Sequence, residues 1–157
     1  MYIANKNIEK MSKGIPLTDE DRWDWLEDIA KVTAEKALQN HETNVCIGTC
    51  SALTKRYREY LREKCPENVN IIVVFLWAPE EELLRRVKLR KNHYMQGNMV
   101  ASQVALMECP EGEEELSKGG ISIPVQTVDI EVDEISSTAI EGLKKAGLVY
   151  ELRQPDM

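Results

Sequence analysis

Seven apolar residues in a row, Ile71-Ile72-Val73-Val74-Phe75-Leu76-Trp77, constrain this chain more than any other feature. The run is short for a helix and rich in β-branched and aromatic side chains, so it predicts a strand buried on both faces. Strands of that kind belong to parallel sheets covered by helices on each side. The flanks agree. Cys65-Pro66 stops a preceding helix, and Ala78-Pro79 followed by Glu80, Glu81 and Glu82 starts the next, with acids where the helix dipole favours them.

The same alternation extends both ways. Leu26, Ile29, Ala30, Thr33 and Ala37 recur at helical spacing over 19–39, with Thr18 as N-cap, Asp21 at the N3 position of a capping box and Asn40 as the stop. Residues 45–49, Val-Cys-Ile-Gly-Thr, read as a second buried strand. It leads through the small-residue turn Cys50-Ser51-Ala52-Leu53 into a basic helix over 54–64, and such a turn at a strand's C-terminal end is where open parallel sheets bind ligands. A short helix is predicted over 99–107, a mobile acidic surface loop over 108–120, a third strand over 125–132 and a last helix over 134–146. The 157 residues fit one α/β domain with a parallel sheet.

A net charge of −7 argues against sequence-independent nucleic-acid binding, and no apolar run approaches the about 20 residues that cross a bilayer. The first residues lack a signal peptide's apolar core. Cys46, Cys50, Cys65 and Cys109 match no metal-binding spacing, so reduced thiols in the cytoplasm are expected. Two basic clusters stand out against the acidic total. Lys10, Lys13 and Arg22 share the stretch 7–26 with Asp19, Asp21, Trp23 and Trp25 around a Gly-Ile-Pro turn, and spacing leaves open whether this is a helix cap or a site. Arg85, Arg86, Lys88, Arg90 and Lys91 form a run that is either a solvated helix end or an anion-binding face.

Several blocks, in order, resemble the gluconokinases of the P-loop kinase superfamily. Asn7-Ile8-Glu9-Lys10-Met11 with Gly14, Pro16-Leu17, Asp19, Asp21-Arg22 and Trp25-Leu26 is similar to the family's N-I-x-K-M … G-x-P-L-x-D-x-D-R-x-x-W-L segment. Cys50-Ser51-Ala52-Leu53 with Tyr57-Arg58 resembles its C-S-A-L … Y-R motif. Arg86, Arg90-Lys91, His93 and Ser102-Gln103 resemble its lid, about 86–103, and Val128-Asp129-Ile130 its last strand before the C-terminal helix. The resemblance implies a three-layer α/β/α P-loop kinase-like sheet and phosphoryl transfer from ATP, with Mg²⁺, to the 6-hydroxyl of D-gluconate. It implies Arg86 and Arg90 as catalytic lid residues on the phosphates. Lys10, Arg22, Ser51, Arg58, His93 and Gln103 are then substrate ligands. Bland alternatives stand beside these: Arg22 pairs with Asp19 or Asp21, and His93 caps a helix. The family is commonly dimeric, so a homodimer is admitted.

The resemblance breaks at the front. None of the eight glycines belongs to a G-x-x-x-x-G-K-[ST] phosphate loop, and the aspartate of the family's G-D-x-L-H-P segment falls before Met1. The expectation is an N-terminally truncated sheet without its first two strands and P-loop, which leaves 45–49 and 71–77 flanking an empty lane or closed up into an altered sheet. Two functional readings follow: a gluconokinase, or an inactive remnant that binds gluconate or a protein partner.

Overall fold

The long apolar run does form a strand. The computed structural model describes residues 5–89, 97–112, 114–117 and 120–145. Among them the chain runs α1 (Asn5–Ser12), α2 (Asp19–Gln39), α3 (Lys55–Lys64), β1 (Ile72–Trp77), α4 (Glu80–Leu89), α5 (Gly97–Val104), β2 (Glu114–Glu115), β3 (Ile121–Gln126) and α6 (Val132–Lys145). No helix among the described residues is long and apolar enough to cross a membrane.

The sheet order is β1-β3-β2, with β1 and β3 parallel and β2 antiparallel to β3. Register pairs Phe75 with Pro124 and Val74 with Ile123, so each pair shares a face. The Arg58 guanidinium of α3 lies over the Phe75 ring at 5.1 Å, while Gly142 of α6 sits against Ile123. Helices α3 and α6 therefore cover opposite faces, giving the three layers expected. Pro124 breaks no ladder bond. Ile121 and Thr127 donate their N–H groups to Ile71 and Trp77, so odd positions face β1, and the nitrogen of Pro124 points the other way, beyond the reach of two-residue β2.

The core lies between α2 and α3. Leu26, Ala30 and Ala34, one helical turn apart, are buried with Trp25 against Ala52, Tyr57, Leu61 and Cys65. The small alanines let α3 approach closely. Thr18 and Asp21 start α2 as the capping pattern predicts, and Thr54 caps α3 by accepting from the Tyr57 N–H at 3.2 Å.

Three expectations need correction. Residues 45–49 are not a strand: Ile47 is 88% and Val45 59% exposed. Strand formation needs a lateral partner for N–H and C=O groups, and no strand among the described residues runs beside this segment. It follows α2 instead, with Gly48 so close to Thr33 that a Cβ there would meet Cγ2 at 2.6 Å. Secondly, β1 is not buried on both faces. It lies at the sheet edge among the described strands, and only Phe75 is buried while Leu76 is 58% exposed. Thirdly, the last strand spans Ile121–Gln126 rather than 125–132. Asp129, in the left-handed region at φ 52°, turns the chain toward α6. Within the acidic segment 108–120, Glu114 and Glu115 pair with β3 and Leu116 is buried.

Candidate functional site

The first turn of α2 is delivered by the end of α1. Gly14, at φ 70°, ends α1 in a Schellman motif: its N–H bonds the Met11 carbonyl, and the Ile15 N–H bonds that of Lys10. This folds α1 back so that Lys10 Nζ meets Asp21 Oδ1 at 2.7 Å. The same carboxylate accepts from the Thr18 N–H at 3.0 Å, and buried Asn7 donates its Nδ2 to the Asp21 carbonyl at 2.6 Å. Lys10, then the Thr18 backbone, hold the Asp21 carboxyl down at about 2. Asp21 is thus a structural anchor, and Lys10 already carries a counter-charge.

Arg22, next in the chain, is only 6% exposed. Its Nη1 donates to the Tyr57 hydroxyl at 3.1 Å and lies 3.8 Å from Asp19 Oδ1, with the guanidinium 5.5 Å from the Tyr57 ring centroid. The Tyr57 hydroxyl donates in turn to Asp19. Burial, followed by the bond to Asp19, raises the Tyr57 phenol above its ordinary value of 10.0, so it stays protonated. Among the described residues the rest of the Arg22 fork has no hydrogen-bond acceptor. A buried cation with open donors can take an anionic ligand.

Arg58 is the contrast. It is fully buried, and every nitrogen is committed: Nε to Glu114 at 2.9 Å, Nη1 to the carbonyls of Ala52 and Leu53 at 3.1 and 3.3 Å, and Nη2 to that of Glu108 at 3.0 Å. Glu108 also accepts from the Lys55 N–H at 2.6 Å and donates its own N–H to Leu53. Arg58 therefore pins the turn after half-buried Ser51 to the 108–114 segment.

Arg86 projects from α4 to the C-terminal end of β3. Nε bonds Glu82 at 2.7 Å, Nη1 bonds Thr127 Oγ1 at 2.9 Å and Nη2 bonds the Thr127 carbonyl, so this fork too is occupied by the protein. Arg85, ahead of Arg86, holds the Glu82 carboxyl at about 2. Gln103 is half-buried on α5. Arg90 and His93 lie outside the described residues. The structure thus brings Lys10 and Arg22 together at the start of α2 and ties Arg58 and the Ser51 turn to them through α3. Asp19, Tyr57, Asn7 and Glu114 complete the cluster without having been assigned roles from sequence. Asp19 was visible as an acid beside Arg22, but Tyr57 lies 35 positions from Arg22 and no local pattern couples them.

No family model matches the chain. It is 43% identical over 109 residues to a probable gluconokinase of Saccharomyces cerevisiae, covering 69% of this chain and 55% of that protein. To the thermoresistant gluconokinase of Escherichia coli it is 32% identical over 141 residues, 89% of this chain and 73% of the relative. The chain therefore spans about half the length of the first and nearly three quarters of the second. A crystal structure of a gluconokinase from Sinorhizobium meliloti superposes with a TM-score of 0.64 at 32% identity, over 91% of this chain and 73% of that one. With identity of this extent and a shared fold, the chain belongs to the gluconokinase family.

Proposed function

We propose that the protein phosphorylates D-gluconate: the sugar acid's 6-hydroxyl oxygen attacks the γ-phosphorus of ATP, giving 6-phosphogluconate and ADP with loss of the hydroxyl proton. The observation that carries this reading is Arg22, a buried guanidinium with unused donors, in a chain whose relatives are gluconokinases. Its fork takes the carboxylate of gluconate, and the Ser51 turn, held by Arg58, supplies further donors to the hydroxyls. By the family resemblance His93 and Gln103 are further ligands of the sugar acid and Arg90 a ligand of the phosphates. Arg86 meets phosphate only by exchanging Thr127 and Glu82 for it.

The described residues do not compose a cradle for a magnesium–triphosphate. The sequence contains no G-x-x-x-x-G-K-[ST], and among the described residues no three His, Cys, Asp or Glu side chains converge as metal ligands. No phosphate or Mg²⁺ step is derived from them. That missing motif favours a second reading, in which this chain holds gluconate without phosphorylating it. The cytoplasm and a homodimeric state go with either reading.

Calorimetric titration tests the common ground. D-gluconate binds and D-glucitol, in which the carboxylate is reduced to an alcohol, does not. Arg22→Gln weakens gluconate binding roughly 10- to 100-fold, the worth of one hydrogen bond to a charged group. Equal binding of both polyols, or none of either, rejects the sugar-acid pocket. A coupled assay for 6-phosphogluconate then separates the kinase from the binder.

A further inference from the structure

We infer that Tyr57 is the positioning residue that keeps Arg22 available to the substrate carboxylate, by standing between Arg22 and Asp19. The inference rests on the proposed role of Arg22 in binding the sugar acid. Arg22 and Asp19 share one helical face three residues apart, the spacing at which an arginine and a carboxylate close into a direct pair. Here they do not close: Nη1 stops 3.8 Å from Oδ1. The Tyr57 hydroxyl fills the gap, accepting from Arg22 at 3.1 Å and giving its proton to Asp19.

A phenol suits this place for three reasons. It has one donor and acceptor lone pairs, so it satisfies both neighbours at once. Its ring belongs to the α2–α3 core and meets Trp23 edge-on at 5.4 Å, so the hydroxyl cannot wander. Being raised in pKa, it adds no negative charge that would compete for the guanidinium. Asp19 is meanwhile drawn outward by Arg56, 3.5 Å from its other oxygen. The result is a cation held by a neutral oxygen on one edge with the remaining donors open. Without the hydroxyl, the guanidinium and Asp19 need to move only about an ångström to reach an ordinary charge-assisted bond. That collapse neutralises Arg22 and turns its fork away from the ligand.

Tyr57→Phe keeps the ring and its packing, so the variant folds. In calorimetric titrations with D-gluconate, Tyr57→Phe should weaken binding roughly five- to twentyfold. The same change in an Arg22→Gln background should weaken it no further. Adding Asp19→Asn to Tyr57→Phe should restore affinity to within about threefold of the parent, since the competing charge is gone. A purely structural tyrosine would give no such rescue. If Arg22→Gln weakens binding while Tyr57→Phe does not, or the two losses multiply, or Asp19→Asn fails to rescue, the positioning role is overturned and the reading of Arg22 stands. If Arg22→Gln binds gluconate as the parent does, the reading of Arg22 falls and this inference with it.

Discussion

Arg22 and Arg58 are both buried arginines beside α3, yet they do opposite work. The difference lies in how many donors the protein consumes. Arg58 spends its whole fork on Glu114 and three carbonyls, so Arg58→Met leaves the part-buried Glu114 carboxylate with only Lys55, 3.8 Å away, and takes the donor from the carbonyls of Ala52 and Glu108. Urea unfolding should show a loss of about 3–5 kcal/mol, the usual consequence of removing one side of a buried ion pair. Asp21, Glu27 and Glu82 make a second prediction. Hydrogen bonds from Lys10, from Lys31 and Lys64, and from Arg85 and Arg86 hold their carboxyls at about 2, below ordinary values of 3.8, 4.5 and 4.5. Because folding depresses them, their contribution is complete above those ordinary values and is lost as pH falls through them toward 2. The melting temperature should therefore drop between pH 5 and pH 2, approximately the window set by these shifts. Lys10→Met should remove the Asp21 share of that slope, and added salt should shrink the rest.

At the scale of elements, caps and close contacts decide the outcome. Gly142 of α6 costs helix propensity, yet a Cβ there would lie 2.8 Å from Ile123 Cγ2 in the β3 layer. Gly142→Ala should lower stability by about 1–3 kcal/mol in thermal melts although alanine is the better helix former, because the branched Ile123 has to shift. The segment 45–49 gives the converse. A strand buried in a sheet would lose several kcal/mol on receiving a lysine, whereas Ile47→Lys should change stability by no more than about 0.5 kcal/mol, since the side chain is already in water. The start of α2 was legible in sequence because a cap is a contact between residues three apart, as in Thr18 with Asp21. The strand at 45–49 was misread because its apolar, β-branched composition meets only half of what a strand requires.

At the scale of the whole molecule, several large apolar side chains among the described residues stand in water. Val45, Ile47, Leu76, Leu89 and Val132 are all exposed, and neither α4 nor α6 contains a buried residue. Among the described strands β1 has a neighbour on one side only, and an open edge flanked by apolar side chains invites self-association. Light scattering on Ile47→Lys combined with Leu76→Lys should show less association than the parent at equal concentration. Unchanged scattering would mean that this surface is not what drives association.

Sequence by itself determined whatever depends on neighbours along the chain. The start of α2, the helix α3, the strand at 72–77 and the ordered motif blocks that mark a gluconokinase all follow from local spacing. Only the tertiary structure decided which apolar run found a partner strand. It also showed which arginine was used up and which kept donors open. The acceptors of Arg58 lie up to 56 residues away, and the hydroxyl that holds Arg22 lies 35 away. A hydrogen-bonding group's availability is set by what the fold brings beside it, and separations of that size leave no trace in a local pattern.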